Sequence, residues 1–274
     1  MTTMPQEADN YIFTGTCRAG SGVVAAVTSY LAERNCYICA LEQFDDDSTN
    51  KFFMRAVFRP QDGSPSIDEI RGSFNQVSDS FGMDWNIHDP KVPVKTLIMV
   101  SKYDHCLDDI LYRRRKGEFN MEITAVVSNH VDLRAMVERE GIPFIHLPIT
   151  KDTKAQQEQR LMEIVDETGT ELVVLARYMQ ILSNELSAQL SGRCINIHHS
   201  FLPGFKGAKP YHQAYERGVK VIGATAHYVT SDLDEGPIIE QILTRVNHNY
   251  KPEHLVRVGR DNESMALTKA ITYH

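Results

Sequence analysis

Hydrophobic periodicity divides the chain into two stretches of different rhythm. In the first, residues 11–17 (YIFTGTC) read as a strand, and the turn Arg18-Ala19-Gly20-Ser21-Gly22 leads into a helix. The apolar residues of that helix, Val23, Ala26, Val27, Tyr30 and Leu31, fall at i, i+3, i+4, i+7 and i+8. Residues 36–44 and 51–59 are rich in aromatic and β-branched side chains and flank an acidic turn at 45–50, which predicts a hairpin. A weaker helical pattern covers 66–81, and 83–87 predicts a closing strand before the proline-spaced segment 88–93. The predicted order is βαββαβ over about 80 residues, a ferredoxin-like arrangement.

From Val94 onward short apolar runs alternate with helical stretches. Residues 95–101, 123–128, 144–149 and 172–176 have the composition of strands buried on both faces. A helix beginning near Asp152 or Thr153 carries Leu161, Ile164 and Val165 inward. Further on, Ile195, Ile197 and His199 alternate with Asn196, His198 and Ser200, so Asn196 and His198 share one face of a strand. This rhythm predicts an α/β domain with a doubly wound, mostly parallel sheet and right-handed crossovers, whose ligands sit at the carboxyl ends of the strands. The predicted organisation is a small domain over 1–88, a linker over 89–93 and a catalytic domain over 94–274. The sequence stops at Ala270-Ile271-Thr272-Tyr273-His274, inside a predicted helix.

Composition narrows the function classes. Of 274 residues 42% are apolar and 24% charged, with no apolar run near the ~20 residues that a membrane span needs. The start MTTMPQEADN lacks a basic region followed by an apolar core, so a cytoplasmic protein is expected. A net charge of −7 disfavours nucleic acid as a partner. The run Arg113-Arg114-Arg115-Lys116 instead suits the C-terminus of a helix. Five cysteines without a secretion signal imply free thiols. Cys36 and Cys39 would face opposite sides of a strand, and no second pair completes a zinc site, so no metal is expected.

The candidate chemistry is concentrated between Cys194 and Gln241. Asn196 and His198 at a strand end are either functional or satisfy the following loop. The alternation places His199 on the opposite face, as a core or supporting histidine, and His212 and His227 are read in the same way. In the turn Ser231–Pro237, Asp232 caps the turn through its own backbone, whereas Asp234, close to Gly236, is placed to face a pocket. After the first strand of the larger domain, Ser101-Lys102-Tyr103-Asp104-His105-Cys106-Leu107 contains no glycine, which disfavours a nucleotide cofactor or a phosphorylated substrate at that turn. His105 either lines the pocket or is structural.

Asn196-Ile197-His198, His199-Ser200-Phe201-Leu202-Pro203, His227-Tyr228-Val229-Thr230 and Leu233-Asp234-Glu235-Gly236-Pro237-Ile238-Ile239 together resemble the signature of the folate-dependent formyl transferases and hydrolases. The N-terminal βαββαβ pattern resembles the ACT domain, and with the turn at 101–107 it resembles the hydrolytic branch of that superfamily. The resemblance implies a Rossmann-like formyltransferase-type domain and hydrolysis of 10-formyltetrahydrofolate to tetrahydrofolate and formate, with no cofactor. It places the catalytic trio on Asn196, His198 and Asp234. It lays the pterin against Tyr178, Met179, Gln180, Ile181 and Leu182, with Val229, Thr230 and Leu233 in the loop that closes over it, and it implies a final strand after the last helix. ACT relatives usually carry an aspartate and a proline where this chain has Ala19 and Ser21. An amino-acid effector loses a partner for its amine there, so a structural role in a homo-oligomer is expected instead.

For the implied reaction, attack on the formyl carbon creates an oxyanion that Asn196 and His198 can stabilise as donors. Asp234 can orient and deprotonate the water while pairing with His198. The N10 leaving group takes its proton from His198 or a relayed water. Neither Cys106 nor Cys194 has an evident activating base, so a thiol nucleophile is not expected. Transfer of the formyl group to a small amine, or folate and amino-acid binding without turnover, are the alternatives.

Overall fold

The computed structural model describes residues 10–202 and 210–274. Pro203 of the signature and the segment at 1–9 lie outside the described residues. The chain divides into two compact units between Val92 and Pro93.

The N-terminal unit runs β1 (Tyr11–Arg18), α1 (Val23–Glu33), β2 (Cys36–Asp46), β3 (Lys51–Pro60), α2 (Ile67–Ser73), α3 (Asn75–Phe81) and β4 (Asp84–His88). Its sheet has the order β2-β3-β1-β4, with every neighbouring pair antiparallel. The single helix predicted over 66–81 is in fact two short ones meeting at Phe74. The core explains the break. Phe74 is fully buried, with its ring 5.1 Å from Phe13, 5.0 Å from Tyr30 and 4.5 Å from Trp85, edge-on to each. At the start of α2 the Ser66 side chain and Glu69 form a reciprocal cap. A bulge between Ile38 and Ala40 leaves Cys39 exposed while Cys36 is buried, so the two thiols face apart.

The larger unit contains β5 (Val94–Val100), α4 (His105–Arg115), β6 (Met121–Ser128), α5 (Arg134–Arg139), β7 (Phe144–His146), α6 (Lys154–Thr168), β8 (Leu172–Leu175), α7 (Asn184–Gln189), β9 (Cys194–His198), α8 (Pro210–Glu216), β10 (Val221–Tyr228), β11 (Ile238–Arg245) and α9 (Pro252–Tyr273). Its sheet order is β11-β10-β9-β8-β5-β6-β7, parallel from β9 to β7 and antiparallel at β10 and β11. β7 ends at His146, short of the predicted Ile149, because Pro148 has no N–H to continue the ladder. The basic run does close α4.

The chain winds outward from β5 through β6 and β7, then returns to the other side of β5 as β8 and β9. A switch of direction between β5 and β8 opens a crevice at their carboxyl ends. Ser101, just beyond β5, ties this crevice together. Its hydroxyl donates to Asn129 Oδ1 at 2.7 Å and accepts from the Met179 N–H at 3.0 Å, linking the ends of β5, β6 and β8.

Both faces of the sheet are buried. Ile98 and Val100 pack with Leu107, Ile110 and Leu111 of α4 and with Ala266, Leu267 and Ala270 of α9. Leu97 and Met99 pack on the opposite face with Leu161, Ile164 and Val165 of α6. No helix among the described residues is long and apolar enough to cross a membrane.

Gly259 of α9 is where the helix admits a neighbour. A β-carbon there would fall on Cζ and the hydroxyl of Tyr211, which is 8% exposed. Alanine normally stabilises a helix interior by about 1 kcal/mol over glycine, but overpacking costs about 1–3 kcal/mol, and here the contact is with the rigid end of a ring. Gly259→Ala is expected to lower stability by about 1–2 kcal/mol and the melting temperature by roughly 2–8 °C, read by thermal unfolding. A raised melting temperature would show that Tyr211 can move aside.

Candidate active site

β9 carries Cys194, Asn196 and His198 toward one face and Ile195 and Ile197 into the core on the other. β10 pairs antiparallel with it in a register that sets His227 opposite Asn196 and Thr225 opposite His198. Side chains at paired positions share a face. The Thr225 hydroxyl donates to the Ser200 carbonyl at 2.9 Å and accepts from Leu202 N–H at 3.1 Å, which fixes the chain as it leaves β9.

Asp234 comes from the loop between β10 and β11. Pro237 O accepts from Tyr228 N–H at 2.9 Å to close this loop, and the Asp232 carbonyl accepts from both Glu235 N–H and the Thr230 hydroxyl. Asp234 itself has a φ of 58°, a left-handed conformation that aspartate tolerates better than most residues. At Gly236 any β-carbon would fall on the Tyr228 carbonyl oxygen. The loop thereby turns the Asp234 carboxylate back over the face that holds Asn196 and His198.

Four hydrogen-bonding side chains converge as a result. His198 Nδ1 lies 3.2 Å from Asp234 Oδ2, and His227 Nε2 lies 3.6 Å from Asp234 Oδ1. Asn196 Nδ2 lies 3.3 Å from His227 Nε2. His227 Nδ1 is 2.9 Å from the Tyr228 carbonyl, which only accepts, so Nδ1 carries the proton. In the neutral ring Nε2 then accepts from the Asn196 amide and fixes its orientation, leaving the second N–H of that amide available. His198 Nε2 is buried and has no partner among the described residues. Burial would raise the Asp234 carboxyl, but a hydrogen bond from His198, a second from His227 Nε2 when that ring is charged rather than neutral, and the positive charge of the rings hold it well below the usual carboxylate range.

A cavity of about 570 Å³ surrounds this cluster. Every site residue predicted from the sequence lines it: Asn196, His198 and Asp234; the segment Tyr178, Met179, Gln180, Ile181 and Leu182; Val229, Thr230 and Leu233; and His105. Met179, Ile181 and Leu233 are 48%, 61% and 55% exposed, forming an apolar wall open to the cavity. Tyr178 is instead a buried pillar whose hydroxyl accepts from Gln157 Nε2 at 3.1 Å, and burial pushes it up to about 12.

Residues 94–271 match the formyl transferase family model. A formyltetrahydrofolate deformylase from Corynebacterium sp. strain P-1 is 50% identical over 268 residues, covering 98% of this chain and 94% of its own. One from Mycobacterium bovis is 46% identical over 260 residues, covering 94% and 84%. The crystal structure of a formyltetrahydrofolate deformylase from Burkholderia mallei superposes with a TM-score of 0.92 at 53% identity, covering 96% of this chain and 93% of that one. The chain belongs to the formyltetrahydrofolate deformylase family.

Four residues of this deformylase-family site differ from the expectation or escape it. His199 was expected on the opposite face, but it lines the cavity with its ring 5.1 Å from that of His198. β9 ends at His198, so strand alternation no longer governs the next residue. His227, expected in the core, is only 2% exposed yet contacts both Asn196 and Asp234; strand register, which a single sequence does not display, brings it there. His212, read in the same way, is exposed on α8 and lines the cavity.

Glu263 is not among the residues that the sequence motifs single out. Its side chain is 2% exposed, and its carboxylate accepts from Tyr211 hydroxyl at 2.7 Å and pairs with His105 Nε2 at 2.8 Å and Arg177 Nε at 3.2 Å. A signal existed in the stripe Leu255, Gly259, Asn262, Glu263, Ala266, Leu267, Ala270 and Ile271, where an acid sits on the buried face of a helix.

Ligand atoms of His105, Cys106 and Glu263 lie within 4.8 Å of one another. Glu263 is already engaged by these donors, and the guanidinium beside it repels a cation. Burial pushes the Cys106 thiol up and Glu263 adds to this, while burial alone does so at Cys194; neither supplies a thiolate.

Burial, then the positive charges of Arg177 and His198, push His199 down to about 4. The unfolded chain therefore binds a proton at this residue before the folded one does, and stability should fall as the pH drops from about 6.5 toward about 4. His199→Gln is expected to remove up to about 3 kcal/mol of that acid sensitivity, measured by urea unfolding across this pH range. Parallel pH profiles for the two proteins would show that His199 is charged in the fold.

Proposed function

We propose that this chain hydrolyses 10-formyltetrahydrofolate to tetrahydrofolate and formate, with Asn196, His198 and Asp234 carrying the chemistry. The observation that supports these roles is their convergence at one cavity, with a spare amide N–H on Asn196 and a buried Nε2 on His198 that has no partner among the described residues. The apolar wall of Met179, Ile181, Leu182, Val229 and Leu233 suits the flat face of a pterin. Family membership supports the reaction itself.

In this reading a water held by Asp234 attacks the formyl carbon, and the C–O bond forms as the carbonyl becomes an oxyanion. Asn196 and protonated His198 donate to that oxygen, one such donor contributing about 3–4 kcal/mol. Asp234 is a weak base because its partners depress its proton affinity. Its main work is orienting the water and holding His198, and it takes a proton late, once the attacking oxygen has become strongly acidic. As the C–N10 bond breaks, His198 delivers a proton to N10. The second proton of the water leaves when formic acid ionises, giving formate, tetrahydrofolate and one H⁺. These steps use side chains and water alone, without metal or nucleotide.

The N-terminal unit is proposed to pair subunits. Phe44 and Phe53 face each other across β2 and β3, with ring centroids 6.4 Å apart and exposures of 64% and 38%, on the sheet face away from the helices.

Purified protein with 10-formyltetrahydrofolate alone should release formate. Release only after an amine is added would point to formyl transfer instead. Asp234→Asn should keep tetrahydrofolate binding within about threefold while kcat falls by about 10²-fold or more. Unchanged kcat would remove Asp234 from the mechanism.

A further inference from the structure

Glu263 is a buried charge that the proposed chemistry leaves unused. Its partners come from three separate segments: His105 at the start of α4, Arg177 just after β8, and Tyr211 on α8. A buried carboxylate is tolerated only with such partners, so α9 and these three segments are held jointly by one group.

Arg177 is where that hold reaches the cavity. Its φ is 64°, in the left-handed region, although it is not a glycine. A β-carbon disfavours this conformation by on the order of tenfold, and it persists where surrounding groups hold the residue in place. The Arg177 side chain is 9% exposed, with Nε 3.2 Å from Glu263 Oε2 and Cζ 5.1 Å from the centre of the Tyr103 ring. Immediately after this corner comes the segment from Tyr178 to Leu182. Downstream that segment is already tied, by Met179 N–H to Ser101 Oγ and by Ser183 N–H to Glu158 Oε1 at 2.8 Å. At the corner itself, the Arg177 side chain is held by its ion pair with Glu263, with the Tyr103 ring packed against the guanidinium.

We infer that Glu263 is a positioning residue for substrate binding: through Arg177 it holds the left-handed corner from which residues 178–182 run along the cavity. This rests on the reading of 178–182 as the wall against which the pterin lies.

The test compares wild type, Glu263→Gln, Arg177→Gly and the double variant, measuring kcat and KM for formate release and, by calorimetry, tetrahydrofolate binding. Glu263→Gln should raise KM about tenfold, the population factor of the left-handed conformation, with kcat within about twofold. Glycine adopts a φ of 64° without strain, so the double variant should recover KM to within about threefold of wild type. A purely structural carboxylate would show no such rescue.

An unchanged KM in Glu263→Gln overturns the inference, as does a fall in kcat at constant KM. So does Arg177→Gly raising KM by itself as much as Glu263→Gln does, because Arg177 would then contact substrate directly. If Glu263→Gln does not fold, His105→Phe and Tyr211→Phe each withdraw one donor from the same carboxylate, and each should raise KM about threefold; normal KM in both overturns the proposal. Wild-type protein that binds no tetrahydrofolate removes the functional reading and this inference together, whereas normal wild-type binding with unaltered variants removes the inference alone.

Discussion

The pairing of β9 with β10 is the constraint on which the site depends. Because His227 stands opposite Asn196, the two side chains emerge on one face and the imidazole can orient the amide. A slip of one residue would send His227 into the core and bring Ala226 or Tyr228 opposite Asn196. The register is held by more than the ladder. Ala224 and Ala226 sit fully buried in the core on the far side, and Thr225 secures the exit of β9 through the Ser200 carbonyl. Packing on one face thus determines chemistry on the other.

Of the carboxylates that line the cavity, Asp234 and Glu263 have settings that separate their roles. Asp234 comes from a loop with a 15% exposed side chain, and both of its contacts are to histidines, groups that can take up or give up a proton. Glu263 comes from a 22-residue helix, is almost fully enclosed, and is engaged by a guanidinium and a phenol as well as an imidazole. Burial works against ionisation at both, and in both the partners more than offset it. The first setting suits a group that must exchange protons, the second one that must keep its charge while holding others still.

Much of this was legible in the residues. Period-two alternation placed Asn196 and His198 together, and the apolar runs located the buried strands, because both signals follow from which side chains are enclosed. Turn chemistry singled out the acid at 234, although Asp232 lines the same cavity. What stayed hidden depends on contacts across the chain. His199 escaped because alternation ends where the strand does. His227 escaped because a histidine within an apolar strand looks like core until its neighbour is known. Glu263 lies 158 residues from His105, a separation that no local pattern spans. Phe74 divided a predicted helix because three aromatic partners outweighed local helical preference.

The loop between β10 and β11 has a further consequence for anyone wishing to watch this molecule at work. Its course is dictated by backbone sterics at Asp234 and Gly236, while Ser231 and Asp232 are exposed at the edge of the cavity. Position 236 admits no side chain, yet position 231, five residues away, admits one freely. A small environment-sensitive fluorophore attached at 231 would ride on the cavity rim without entering the hydrogen-bond cluster, and would turn arrival of a ligand beneath the loop into an optical signal.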